Sequence, residues 1–298
     1  MPDQTPDAQT PDAITPGAIT PGAATDSSVV NPARFLGRAD VYAQARPGYP
    51  DALGAWLRDL GLLNARVADI GAGTGLFTRL LLAHGAAVTA VEPNPDMRAR
   101  LGEGLRGVPG LTMQAGTSEA TGLPAASVGL ITAAQAAHWF DPGRTLPEFR
   151  RVLIPGGRVL FVWNDWRAAQ ESAPFNRAYG EVVRAFTGDD PLQIRVPEDD
   201  LPLFMPGGFE VREWTHTHPL TLGALHALAG SVSYLPAPDS PDFPALRAAL
   251  DAAFDAHAQA GAPGAEAHVE LAYLTRAYLG TLDSTAPGPT APSRAVLR

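Results

Sequence analysis

The chain has 298 residues, 45% of them hydrophobic, and a net charge of −9 from 22 basic and 31 acidic side chains. It contains no cysteine, and every basic residue is Arg, which excludes disulfides, thiolate metal sites, a thiol nucleophile, a Schiff-base lysine and a P-loop lysine. An acidic chain without a basic stripe is poorly suited to nucleic acid, and no apolar run approaches the roughly 18 residues of a membrane span. With no basic-then-apolar leader at the start, the expectation is a cytoplasmic protein without nucleic-acid or membrane partners.

The first segment is a tandem repeat, QTPDA, QTPDA, ITPGA, ITPGA, from Gln4 to Ala23. Proline at every fifth position and almost no bulky side chains predict a disordered tail over residues 1–30. From Pro50 to Leu60 the apolar residues Leu53, Trp56, Leu57 and Leu60 recur at helical spacing. "RVADI" is a short buried strand that runs into a glycine-rich turn, and "GLFTRLLLAHG" is a helix closed by Gly85. "AAVTAVE" is a second strand, followed by the helix "NPDMRARLGEGL" with Asn94 as its N-cap and Pro95 in its first turn. "LTMQAG" and "SVGLITAAQ" are the third and fourth strands; the helix "GRTLPEFRRVL" leads to a fifth, "RVLFVWN". Strands alternating with helices predict a doubly wound, mostly parallel sheet covered on both faces. Helices are expected at 171–187, 221–230 and 243–260, with "FEVREWTHTHPL" and "HVELAYLTRAYLG" as a closing antiparallel pair. The last residues, 284–298, read as a loose tail.

"VADIGAGTG" is the segment richest in chemistry. Glycines at 71, 73 and 75 let the backbone turn tightly and approach a ligand closely, beside the free N–H groups of the next helix. Glu92 ends the second strand about 20 residues on, where a carboxylate takes both hydroxyls of a ribose. A dinucleotide requires glycine at the sixth position of G-x-G-x-x-G, and here that position is Leu76. An acid at the loop mouth, Asp69, opposes a pyrophosphate but suits an amino group and a sulfonium, so S-adenosylmethionine is favoured over NAD.

The segments "VADIGAGTG", "VEPNPDM", "AGTSEATGLP", "ITAAQAAHWFD" and "FRRVLIPGGRVLFVWN" occur in an order that resembles class I S-adenosylmethionine-dependent methyltransferases of the type 11 branch. "VYAQARPGYP" and "HWFD" look most like the trans-aconitate-type enzymes that act on small molecules. The resemblance implies a seven-stranded Rossmann-like sheet spanning residues 31–283, with a cofactor core at about 50–165 and an acceptor or lid region at about 166–265. It implies that Gly71, Ala72, Gly73 and Gly75 pack against the methionine part of the cofactor, with Asp69 beside them. Glu92 would bind the ribose; Pro93, Asn94 and Met97 would flank the adenine; Thr117 and Ser118 would meet its edge; Gln135 would lie near the sulfonium. Relatives often carry Asp where Thr117 and Gly129 stand. Tyr42 and Arg46 would close over the cofactor.

"AAHWFDP" offers two readings of one cluster. His138, following the fourth strand, is a candidate general base for the acceptor; alternatively His138 and Trp139 wall the pocket while Asp141 caps the next helix before Pro142. Trp139, Asn164, Arg167 and Tyr234 are candidate acceptor contacts. His216 and His218 share a strand face but lack a third ligand, so no metal is expected. The function expected is methyl transfer to a small molecule; an NAD-dependent oxidoreductase and a non-catalytic S-adenosylmethionine-binding protein are the alternatives.

Overall fold

The computed structural model describes residues 46–170, 173–187, 196, 198–232, 234–261, 264–283 and 296–297. The N-terminal repeat and Tyr42 lie outside the described residues, as does most of the C-terminal segment.

Helix α1 (Asp51–Asp59) buries Leu53, Trp56 and Leu57 on one side and carries Asp51 in its first turn and Arg58 in its last, which matches the helix dipole. Strand β1 (Val67–Ile70) is buried at all four positions, as is β2 (Val88–Val91), because helices cover both faces of the sheet. Between them runs α2 (Leu76–Ala83). Helix α3 (Pro95–Gly104) begins at Asn94, whose side chain accepts from the N–H groups of Asp96 at 2.9 Å and Met97 at 3.2 Å. After β3 (Leu111–Gln114) and β4 (Val128–Ala134), α4 (Pro142–Val152) starts at Asp141, whose carboxylate accepts from Arg144 N–H at 3.1 Å.

Strand β5 (Leu153–Asp165) begins earlier than its apolar run indicates. Val128 pairs with Leu153 and Leu130 with Arg158, so the Ile154–Gly157 stretch bulges out of register. Gly156, at φ 78°, supplies the turn. Beyond β5 come α5 (Pro174–Thr187), the short α6 (Leu201–Phe204), β6 (Phe209–Leu220), α7 (Leu222–Ser231), α8 (Phe243–His257) and β7 (Val269–Gly280).

The strands lie in the order β3-β2-β1-β4-β5-β7-β6, and a two-residue β8 (Val296–Leu297) pairs parallel to β6 at the edge. The first five strands are parallel, while β7 runs antiparallel to both neighbours, from Val159↔Gly280 on β5 and from Phe209↔Gly280 to Leu220↔Val269 on β6. The expected closing pair is therefore present, with its second strand inserted next to the parallel set.

Two apolar layers sandwich the sheet. On one face Phe149, Val152, Leu201 and Phe204 pack with Phe161, Trp163 and Tyr278; on the other Leu53, Leu57, Phe77 and Leu81 pack with Val67, Leu130 and Leu160. A third cluster unites α5, α7 and α8 over the ends of β6 and β7, with Trp166, Tyr179, Leu225, Leu246, Leu250 and Tyr273 among its members. No described helix is long and apolar enough to cross a membrane. The strand order reverses between β1 and β4, and a crevice opens outside the carboxyl ends of such strands.

Candidate active site

A cleft with about 400 Å³ of empty space, solvent at its mouth included, opens at that reversal. Tyr49, Asp69, Gly71, Ala72, Gly73, Thr74, Leu76, Phe77, Ala134 and Gln135 line it. The glycines of the loop serve different ends. Gly71 sits at φ 68°, and a Cβ there would come within 2.7 Å of the Ala136 Cβ, so the loop lies against the end of β4 only without a side chain. Gly73, at φ 57°, has no heavy atom within 4 Å of where a Cβ would point, which leaves open space for a ligand beside the backbone. Thr74 Oγ1 nearby is buried without a hydrogen-bond partner.

Glu92 is buried at the carboxyl end of β2. Its Oε2 accepts from Gly73 N–H at 2.8 Å and its Oε1 from Asn94 N–H at 2.9 Å. Each carboxylate oxygen has a second acceptor site, so the group is oriented by backbone and still able to receive two hydroxyls. Burial raises its pKa, opposed by those two N–H groups and by Arg98. The Arg98 guanidinium donates to the carbonyls of Glu92 at 2.6 Å and Pro93 at 2.8 Å, which fixes the chain where it turns into α3.

Asp69, on β1 below the loop, is 1% exposed. It accepts from Thr78 Oγ1 at 2.6 Å and Thr132 Oγ1 at 2.8 Å. Burial drives its pKa up to about 6 against those hydrogen bonds. Gln135, at the end of β4, holds φ 57°, a left-handed conformation in a residue other than glycine. Its Nε2 donates to the Asn164 carbonyl at 2.9 Å. The Asn164 side chain in turn donates to Gly48 O at 2.9 Å and accepts from Thr275 Oγ1 at 2.6 Å. Gly48 and Tyr49 belong to a strap from Arg46 to Pro50, and Tyr49 meets Phe77 edge-on at 4.9 Å where both line the cleft.

The sequence-predicted residues thus fall into groups. Asp69, Gly71, Ala72, Gly73 and Gln135 share one cleft, and Glu92 joins it through Gly73; Pro93 and Met97 follow at the start of α3. Gly75 caps α2, where a Cβ would press to 2.9 Å from Leu101 Cγ. Thr117 closes a turn with Ala120, and the Ser118 hydroxyl accepts from Thr145 Oγ1 at 3.1 Å, so Ser118 ties its loop to α4. Arg46 donates to Ser231, and Arg167 lies against Tyr234. Sequence reasoning missed Tyr49, Phe77, Thr78 and Thr132. "GYP" hinted at the first, but the rest look like ordinary helix and strand positions.

His138 sits in a single 3-10 turn, Ala137–Trp139, with its ring 4.9 Å from that of Trp139, which is 37% exposed. Its Nδ1 is buried without a hydrogen-bond partner, and burial lowers its pKa to about 4. Asp141 caps α4, so the adjacent acid does not serve the imidazole.

Residues 68–161 match the family model described as a methyltransferase domain. Over 200 residues the chain is 39% identical to an uncharacterized methyltransferase of Mycobacterium tuberculosis, spanning 67% of this chain and 76% of that one. The chain belongs to the methyltransferase family. A structure assigned as a type II methyltransferase, from Anaeromyxobacter dehalogenans, superposes with a TM-score of 0.59 at 26% identity, covering 80% of this methyltransferase and 98% of that chain. A malonyl-[acyl-carrier protein] O-methyltransferase of Methylococcus capsulatus is 38% identical over 114 residues, 37% of this methyltransferase and 42% of that protein. The family implies S-adenosylmethionine as the methyl donor. The open space at Gly73, the oriented Glu92 carboxylate and the unpartnered Thr74 hydroxyl fit such a group.

Proposed function

We propose that this methyltransferase passes a methyl group from S-adenosylmethionine to a small-molecule acceptor. The observation that carries the reading is the Glu92 carboxylate, aimed by Gly73 and Asn94 N–H groups beside a glycine loop with space for a ligand. In this reading Glu92 takes the ribose hydroxyls, Gly71 to Gly75 cradle the methionine portion, and Pro93, Met97, Thr117 and Ser118 border the adenine. When bound, the cofactor supplies an electrophilic methyl on a sulfonium.

The chain's own residues align and exclude water. Gln135 is pinned to Asn164, and Tyr49 and Phe77 form an aromatic wall on the cleft. With a pKa near 4, His138 stays neutral at physiological pH and is a weak base, so its role here is to shape the acceptor side together with Trp139. A nucleophile already ionised on arrival fits this site best. The expected setting is the cytoplasm, with no nucleic-acid or membrane partner.

Leu76 lines the cleft where a dinucleotide needs glycine, which disfavours NAD. Calorimetry with S-adenosylmethionine, S-adenosylhomocysteine and NAD tests the choice: the first two bind and NAD does not, and the reverse pattern would sink the proposal. Methyl release to an acceptor panel separates an enzyme from a binding protein.

A further inference from the structure

A second cluster lies beside the cofactor cleft, where the end of β5, helix α5, the end of α7 and strand β7 meet. Its centre is Arg167. The guanidinium lies over the rings of Trp166 at 5.4 Å and Tyr234 at 5.7 Å. Its Nη2 is buried without a hydrogen-bond partner, and no ion pair engages it among the described residues. The neighbouring acid, Asp165, directs one oxygen to the N–H groups of Arg167 at 2.9 Å and Ala168 at 3.2 Å. A second cation, Arg46, reaches the end of α7, with Nε 3.2 Å from Ser231 Oγ and Nη2 3.4 Å from Ser231 O. Tyr179 and Tyr273 are buried in the same cluster, and both arginine charges bear on Tyr179. Burial nevertheless holds both phenols well above their ordinary pKa, so they are neutral donors.

A buried guanidinium N–H without an acceptor is costly, and a ligand that supplies the missing acceptor recovers that cost. We infer that this cluster is the anion subsite of the acceptor pocket: Arg167, with Arg46 serving the acceptor here rather than closing over the cofactor, receives a carboxylate of the acceptor, whose apolar body lies against Trp166 and Tyr234 above the buried Tyr179 and Tyr273. The inference rests on the methyl-transfer reading above and adds the class of acceptor. Two short connections join the subsite to the cofactor cleft. Arg46 is three residues from Tyr49, and Arg167 three from Asn164, so each link spans at most about 10 Å of chain. The planar fork of Arg matches a carboxylate. A walled, aromatic site favours a monoanion over a phosphate dianion, which loses more solvation on entry.

The test is calorimetry on the full chain saturated with S-adenosylhomocysteine, with benzoate, benzamide and phenyl phosphate as probes. Benzoate is expected to bind at least about tenfold more tightly than benzamide, and Arg167→Gln to remove that preference with the affinity for S-adenosylhomocysteine unchanged. Arg167→Lys should recover only part of it, because an ammonium lacks the fork. Equal binding of acid and amide, no binding of benzoate, or an unaltered preference in Arg167→Gln would overturn the inference; tighter binding of phenyl phosphate would overturn the choice of carboxylate. Absence of S-adenosylhomocysteine binding would instead bring down the cofactor reading itself, and this subsite with it.

Discussion

Asp69 and Glu92 show how two buried carboxylates at neighbouring strand ends come to differ. Glu92 is held by two backbone N–H groups that stay in place whatever binds, whereas Asp69 has two threonine hydroxyls and a deeper position. Glu92→Gln keeps the shape and removes the charge, so S-adenosylhomocysteine should bind about tenfold to a hundredfold more weakly by calorimetry, as expected for a lost charge-assisted pair of hydrogen bonds. Asp69 carries a pH signature. Its folded pKa of about 6 lies above the ordinary 3.8, so the folded state holds the proton more tightly than the unfolded chain. The contribution of Asp69 to stability is then fully present below about pH 4 and is lost as pH rises through about 6, by an amount on the order of 3 kcal/mol. Asp69→Asn should accordingly raise the melting temperature of the ligand-free protein at pH 8 and lose that advantage near pH 4. An advantage of equal size at both pH values would mean that charge burial is not its source. The motif reading reached both acids, since an acid at the end of a strand, before a glycine turn or a helix start, is visible in sequence. The hydroxyls of Thr78 and Thr132, which tune Asp69, were not, because a threonine within a buried run looks like any core residue.

At the level of elements, short polar tethers do the positioning. Asn164 joins three of them: the end of β4 through Gln135, β7 through Thr275, and the strap at Gly48. Asn164→Ala should lower stability by about 2 kcal/mol, since Thr275 Oγ1 and Gly48 O lose the Asn164 amide and keep only His216, and should also weaken cofactor binding as Tyr49 loosens. Denaturant titration alongside calorimetry checks both effects. Asp141→Ala should cost about 1 kcal/mol of stability as a helix cap and leave turnover intact. A collapse of turnover at full stability would restore Asp141 as a partner of His138. The caps at Asn94 and Asp141 were legible because capping is a local rule of residue type and position. The early start of β5 was not, because Pro155, Gly156 and Gly157 read as a loop and only the pairing of Val128 with Leu153 draws them into the strand.

For the molecule as a whole, the glycine-loop cleft rests on the sheet's own two apolar layers, and the proposed acceptor subsite rests on the separate core of α5, α7 and α8. Amide hydrogen exchange should therefore be faster in residues 222–257 than in β1 and β4, and S-adenosylhomocysteine should slow it most at residues 46–49 and 71–78. Uniform protection throughout would contradict two separable units. The parallel half of the sheet was readable because strands buried on both faces stand out as unbroken apolar runs between helices. The placement of β7 was not, since alternation along "ELAYLTRAYLG" shows a strand but not its neighbours; Tyr179 and Tyr273 read as the core residues they are, and their spacing does not reveal that they lie near Arg167. That placement bears on how the protein is made. A ribosome delivers β5 about a hundred residues before β7, and β6, though finished sooner, does not pair with it. Throughout that interval the nascent chain carries an open edge of unpaired N–H and C=O groups along an apolar strand, the kind of surface that aggregates or calls on chaperones, and it is sealed only when residues 269–280 have left the exit tunnel.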